Sequence, residues 1–428
     1  MTAPRSTTPT GPRPGLLRVN RERLLDTQER FAAFGATAGG GLNRLTLDDH
    51  DRRARDELRD LAQERGYRVD VDAVGNIFVT RPGTDESLPV VLIGSHLDSQ
   101  PFGGRFDGTY GVLAGLEVLR SLDDAGVRTR RGITLVDWTN EEGSRFSPSL
   151  LGSSVFSGTL PLDEALERTD SAGIRLGDEL ERIGYAGTYE ASRLRIHRAF
   201  EAHIEQGPLL EEAGTDIGVV TGIQGIRQYD VAIQGEPRHA GTTPHDRRKD
   251  ALVAAARLIA AVEELAERLG PDLRATVGEL RIAPNSRNVV PGHALLLLDV
   301  RHPDDDVLDR AEEGLRDAVA RLSARTGLPA EMRTVLRVAP TRFDADSVSL
   351  VRVAAEALGL SHAPLASGAG HDSMRLAPLA PTAMVFIPCV DGISHAEAED
   401  IRDEWAVNGA DVLLTAVARA AEEEEERA

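Results

Sequence analysis

His96, Asp98 and Asp107 sit among glycines in Gly94-Ser95-His96-Leu97-Asp98 and Gly103-Gly104-Arg105-Phe106-Asp107-Gly108. Imidazole nitrogens and carboxylate oxygens at this density are donors for a divalent cation. The stretch follows the apolar run Val90-Val91-Leu92-Ile93, which reads as a buried strand of a parallel sheet. Ligands of open α/β sheets bind beyond the carboxyl ends of the strands. More such residues follow: Glu141-Glu142 after the strand-like Ile133 to Trp138, then Glu201-Ala202-His203-Ile204-Glu205-Gln206-Gly207, Gly370-His371-Asp372 and Gly392-Ile393-Ser394-His395. Two cations bridged by one carboxylate would draw on a set of this kind. Taken singly, each has a plainer alternative. His203 could be a core histidine, Glu141-Glu142 a solvated helix start, and Asp107 a cap on the next helix. A serine or thiol nucleophile is not favoured, because there is no Gly-x-Ser-x-Gly elbow and Cys389 lies in an apolar run.

The elements that must position these residues fall into two patterns. Helical periodicity covers Leu16 to Phe34, then a segment from after Thr46 to a stop at Gly66, then Tyr110 to Asp124. Arg68 to Thr80 reads as two strands around Val74-Gly75-Asn76. Strands alternating with helices predict an α/β sheet with helices on both faces. Near Thr221-Gly222 the order changes to strand, helix, two strands, helix, strand. The strands are Tyr229 to Ile233, Thr276 to Ile282, Ala294 to Asp299 and Glu331 to Arg337, and the helices Asp250 to Leu269 and Val307 to Thr326. That is the order of a split-βαβ, ferredoxin-like α+β unit. The α/β pattern returns with a helix to Leu358 and a strand at Thr382 to Ile387. The division expected is therefore a tail at 1–15, a catalytic domain at 16–221 and 343–428, and an inserted domain at 222–342.

Composition narrows the function classes. The 428 residues are 41% apolar and 28% charged, as in soluble globular chains. A formal charge of −20 argues against nucleic acid, which needs a basic face. Part of that acidity is the solvated run Glu422 to Glu426. No apolar run approaches the roughly 20 residues of a membrane span. Met1 to Gly15, rich in Pro, Thr and Arg, has no apolar signal region and reads as a disordered tail. One cysteine excludes an intrachain disulfide and fits a reducing cytoplasm.

Eight segments together resemble the amidase/hydantoinase/carbamoylase branch of the M20 metallopeptidase-like superfamily. They are GSHLDSQPFGGRFDGTYGVLAGLEV, WTNEEGSRF, AHIEQGPLLE, HAGTTPHDRRKDAL, NVVPG, DVRHPD, SGAGHDS and GISHAEAE, between Gly94 and Glu399. The branch holds N-carbamoyl-L-amino-acid hydrolases, β-ureidopropionases and allantoate amidohydrolases. The resemblance implies a metallopeptidase-like catalytic domain with an inserted lid and dimerisation domain, forming a homodimer. It implies two divalent metal ions, zinc first, with manganese, cobalt or nickel able to take the same donors. His96, Asp107 and His203 would hold one ion. Asp107, Glu142 and His395 would hold the other, with Asp107 as the bridge. Asp98 would fix the tautomer of His96 from its far ring nitrogen. Glu141 would be the general base. Arg301, assisted by Asn288, would bind the substrate carboxylate. Gln206 and His239 would contact the substrate amide or the developing oxyanion, and closure of the inserted domain would assemble the site. His371, with Asp372 next to it, is a further candidate beside the site.

Few residues depart from the family pattern. Gln228, His245 and Ala396 stand where tryptophan, methionine, and asparagine or proline are common. None is a proposed ligand or base, so they bear on side-chain preference. The expected reaction is cleavage of an N-carbamoyl-L-amino acid to the amino acid, carbon dioxide and ammonia. Allantoate or another ureido acid is the near alternative. An aminoacylase, a dipeptidase and a metal-binding homologue without turnover are more distant. For Arg301 the competing expectation is a strand-end ion pair with an acid such as Asp304.

Overall fold

Four parallel strands, Ile133–Asp137, Val90–Ser95, Ile196–Ile204 and Thr382–Ile387, lie side by side in that order at the centre of a mixed sheet. Ile77–Arg81 and Arg68–Val71 extend one side antiparallel, and Ile217–Ile223 runs antiparallel beside Thr382–Ile387. The structure is a computed structural model, and it describes residues 16–424; the expected tail at 1–15 and the end of the Glu422–Glu426 run lie outside them. The central strands are apolar on both faces because both are covered. Val91, Ile93, Leu135 and Phe200 join one core with the helices Arg21–Ala32, Thr109–Asp124, Ala345–Leu358 and Asp403–Glu422. Leu92, Val136, Ala199 and Phe78 face a smaller core that includes Trp138 and Leu376.

The chain divides into two compact units. One comprises Met1–Thr221, Phe343–Leu365 and His371–Ala428, and the other Gly222–Arg342 and Ala366–Gly370. The second unit has a four-stranded antiparallel sheet in the order Ala330–Val338, Gly225–Gln234, His293–His302, Arg274–Ala283. The helices Ala251–Leu269 and Asp305–Thr326 bury their apolar stripes against it, giving this unit its own core.

Side-chain caps set several helix starts. The first helix begins at Arg21, later than its periodicity suggests, where the Asn20 side chain accepts the Arg23 N–H at 3.1 Å. Asp48, Asp250, Asp304 and Asp344 cap four other helices in the same way. Among the described residues, no helix is long and apolar enough to cross a membrane.

Candidate metal centre

The carboxyl ends of the parallel strands deliver the donors. Val90–Ser95 leads to His96, Ile133–Asp137 leads to Glu141 and Glu142, Ile196–Ile204 carries His203 near its end, and Thr382–Ile387 is followed by the loop holding His395. Asp107 lies just before the helix Thr109–Asp124. It does not cap that helix; Gly108 holds the N-cap position with no side-chain hydrogen bond. Gly108 has φ +62°, and a Cβ there would lie 2.3 Å from the His96 ring, so only glycine lets the backbone pass.

The two oxygens of Asp107 face different partners. Oδ1 is 3.0 Å from His203 Nε2 and 3.7 Å from His96 Nε2. Oδ2 is 3.2 Å from His395 Nε2, which in turn is 3.6 Å from Glu142 Oε2. Two groups result, His96–Asp107–His203 and Asp107–Glu142–His395, and within each the donor atoms lie within 4.8 Å of one another. His96 Nδ1 is 2.9 Å from the Asp98 carbonyl oxygen, and His203 Nδ1 is 3.0 Å from that of Ile204. Those carbonyls can only accept, so each Nδ1 carries a proton and Nε2 is the ring nitrogen turned toward Asp107.

That contact corrects the role expected of Asp98. The backbone of Asp98 fixes the His96 tautomer, while its carboxylate stays 3.7 Å from Nδ1. The carboxylate instead accepts the Thr46 hydroxyl at 2.8 Å and the amides of Glu141 and Glu142 at 3.2 and 3.3 Å. It holds the turn that presents both glutamates. Glu141 is nearly buried, with Oε2 3.4 Å from His96 Nε2. Asn140, Gln206 and His395 adopt φ of +58°, +58° and +55°. These non-glycine left-handed residues sit where donors are presented, as strained backbone at functional sites does.

The electrostatics ask for positive charge. Burial pushes the Glu142 carboxyl up to about 8, and Asp107 adds to the rise. Burial lifts Asp98 to about 7. It also holds Glu141 well above the carboxylate range, with Asp372 and Glu142 adding repulsion. Burial opposes the charge of Asp107 as well, yet hydrogen bonds to His203 and His395 keep its carboxyl well below the usual range. Packed carboxylates interleaved with imidazole Nε2 atoms form a donor set that fits divalent cations.

The remaining residues named from the sequence are placed as follows. Gln206 Nε2 donates to Asp107 Oδ2 at 2.8 Å, and its buried Oε1 has no partner. His371 is buried with its ring centroid 4.5 Å from that of His203. Asp372 is buried and accepts the Ser153 hydroxyl. In the second unit, His239 and Asn288 come together where Arg238–His239 pairs with Val289–Val290 and the Ala240 amide donates to the Asn288 carbonyl at 2.8 Å. Arg301 has a different ion-pair partner from the one anticipated. Its Nε is 2.7 Å from Asp299 Oδ1, and Nη1 donates to the Gly368 carbonyl at 3.0 Å.

Two further side chains around the centre lie in the segments quoted above but were given no role there. Gln100 donates its backbone N–H to Glu142 Oε1 at 3.1 Å and its Nε2 to Glu142 Oε2 at 2.7 Å. Glu201, beside His203, accepts the hydroxyls of Ser95 at 3.0 Å and Ser373 at 2.7 Å. Their only signal was proximity to the motif residues.

The family model for Peptidase family M20/M25/M40 matches residues 92–419. An N-carbamoyl-L-amino-acid amidohydrolase of Rhizobium meliloti is 45% identical over 405 residues, spanning 95% of this chain and 97% of its own. An allantoate amidohydrolase of Bacillus subtilis is 32% identical, spanning 89% and 92%. The crystal structure of an amidase of the hydantoinase/carbamoylase family from Burkholderia multivorans superposes with a TM-score of 0.92 at 48% identity, covering 95% of this chain and 99% of that one. The chain belongs to the M20 family of peptidase-like hydrolases, which act on C–N bonds.

Proposed function

We propose that this protein hydrolyses the ureido C–N bond of N-carbamoyl-L-amino acids, yielding the amino acid, carbon dioxide and ammonia. The observation that carries the reading is Asp107, whose two oxygens address two separate donor groups while Glu141 stands beside them. His96 and His203 would hold one divalent cation with Asp107, and Glu142 and His395 the other. Zinc is the first candidate, and manganese, cobalt or nickel suit the same donors. When bound, such cations supply Lewis acidity toward a carbonyl and a water acidic enough to deprotonate at neutral pH.

The protein's own residues do the rest. Glu141 takes the proton from the attacking water and delivers it to the departing nitrogen. The Asp98 carboxylate holds the amides of Glu141 and Glu142, keeping base and ligand in register. Gln206 is tethered to Asp107 and presents its unpaired Oε1 to a substrate N–H. Arg301 would bind the substrate carboxylate with Asn288 beside it, exchanging the Gly368 carbonyl on Nη1 for the ligand. His239 would serve the developing oxyanion, and His371 would border the reacting group.

The relatives support the substrate class, and the Bacillus subtilis relative keeps allantoate as a second reading. A homodimer through the second unit is part of the proposal, as is a cytoplasmic setting. The test is a panel of N-carbamoyl amino acids, allantoate, N-acyl amino acids and dipeptides, assayed after loading with each metal. Turnover confined to acyl or peptide bonds would sink the carbamoyl reading. Glu141→Gln should keep its metal content and lose about 10²–10⁴-fold in kcat. Unchanged turnover in that variant would remove Glu141 as the base.

A further inference from the structure

Glu399 is a carboxylate only 3% exposed, and no cation pairs with it among the described residues. Its partners are backbone and hydroxyl groups. Oε1 accepts the N–H of Phe106 at 2.9 Å and of Asp107 at 3.0 Å. Oε2 accepts the Ser394 hydroxyl at 2.9 Å, and that hydroxyl is also 3.1 Å from Asp107 Oδ2. Ser394 is 287 residues from Asp107 in sequence and directly precedes His395. Gly104 makes room for the carboxylate, since a Cβ there would lie 1.9 Å from Glu399 Cδ.

We propose that Glu399 is a positioning residue for the second cation: it fixes the Asp107 backbone and the Ser394–His395 loop relative to each other. This rests on the binuclear reading above. The two cation groups depend on Glu399 unequally. His96 and His203 have their own anchors on the carbonyls of Asp98 and Ile204. His395 is half exposed, in a left-handed turn, and Glu399 and Asp107 hold its neighbour Ser394. Without Glu399 the group of Asp107, Glu142 and His395 loses its spacing, and the group of His96, Asp107 and His203 keeps its histidines.

The experiment is metal titration of the full-length protein by calorimetry, after chelation and with Zn2+ or Mn2+ as probe. Wild type should take up two equivalents. Glu399→Ala should keep one tight equivalent and bind the second at least tenfold more weakly. Glu399→Gln should restore the second, because its amide oxygen still accepts both N–H groups and its NH2 can donate to Ser394 Oγ. Gly104→Ala, which displaces the carboxylate while leaving it in the chain, should reproduce the alanine result and carries the test should Glu399→Ala fail to fold. Two tight equivalents in the alanine variants overturn the proposal. A single equivalent in wild type overturns the binuclear reading instead.

A different observation concerns Arg120, on the helix Thr109–Asp124. It is 5% exposed, its Nε is buried without a partner, and no ion pair reaches it among the described residues. The acids nearest on its helix are taken. Glu117 receives Arg23 Nε at 2.7 Å and Nη2 at 2.6 Å, and Asp124 receives Arg23 at 2.6 Å and Arg65 at 2.8 Å. Arg23 and Arg65 thus take up both carboxylates, and with the unpaired Arg120 they line an open cavity of about 450 Å³. Exposed Glu22, Asp26 and Glu64 also line it and disfavour polyanions.

We infer that Arg120 binds a small oxyanion, a carboxylate or phosphate of a few heavy atoms, which completes its charge balance. Inorganic phosphate and acetate, titrated into the holoenzyme at low ionic strength, should raise the melting temperature saturably beyond a chloride control. Arg120→Met should abolish that rise, and without anion should be at least as stable as wild type, having lost a buried unpaired charge. No saturable rise in wild type, or an equal rise in the variant, overturns the inference: hydration alone would then satisfy Arg120, or the anion would bind elsewhere.

Discussion

Asp107 shares one carboxylate between two groups of candidate donors, so under the proposed binuclear reading its removal differs in kind from that of the other proposed ligands. Asp107→Ala should lose both cations together on dialysis, whereas His395→Ala should lose one; metal analysis after dialysis distinguishes them. Cys389 gives a second expectation at this scale. Burial pushes its thiol up to about 12. The thiolate is the reactive form, so at pH 8 only about 10⁻⁴ of it is ionised. Iodoacetamide at pH 8 should therefore label the protein only after unfolding. The donors were legible in the sequence because histidines and acids among glycines at strand ends are conspicuous. Glu201 and Glu399 lay in the quoted segments but their tasks were not legible, because a carboxylate that serves backbone amides or serine hydroxyls has no local sequence signal. Asp98 was legible as a member of the site but not in its task, since its side chain and its carbonyl do different work.

Among the elements, the helix Asp49–Glu64 carries the sharpest stability expectations. Asp48 caps it by accepting the N–H of His50 at 2.8 Å and of Asp51 at 2.7 Å. Asp48→Ala should cost about 1 kcal/mol in denaturant unfolding. Deeper in, Arg55 and Asp51 form a fully buried pair at 2.8 Å, and Arg55 also donates to the Gly75 carbonyl at 2.7 Å. Asp51→Ala leaves that guanidinium only the longer buried pair with Asp137, 3.7 Å from Nη1, and should destabilise by about 3 kcal/mol. The helices were readable because their stripes and aspartate caps follow simple periodicity. The strand Ile196–Ile204 was not identified as one. It buries Glu201 and His203, polar residues in the middle of a sheet, and that breaks the apolar run by which a parallel strand is known.

At the scale of the whole molecule, metal binding and stability are linked. A cation that binds only the folded chain should add about 2.7 kcal/mol at a concentration 100 times its Kd, and chelation should lower the melting temperature accordingly. The second unit has two edge strands, Arg274–Ala283, which exposes Leu280, and Ala330–Val338, which exposes Val335 and Leu336. An open edge with apolar residues suits association with another copy. Light scattering should give twice the monomer mass, and a charge at Leu280 should shift it toward the monomer. The strand, helix and strand order of this unit was plain from periodicity alone. The grouping of Ala366–Gly370 with it was not, because that contact comes from a segment distant in sequence.

The central sheet has a further consequence for how the chain is made. Thr382–Ile387 lies between Ile196–Ile204 and Ile217–Ile223, so the strand that closes the middle of the sheet is synthesised last. A nascent chain that has passed residue 342 already holds everything the second unit needs for its own core. The larger sheet still has a gap at its centre, bounded by two open strand edges that invite pairing with other chains. Chains stopped short of Thr382 should collect in the insoluble fraction, while a fragment spanning 222–342 should be soluble and folded. For this protein the hazardous interval of synthesis comes late, after most of the chain has left the ribosome.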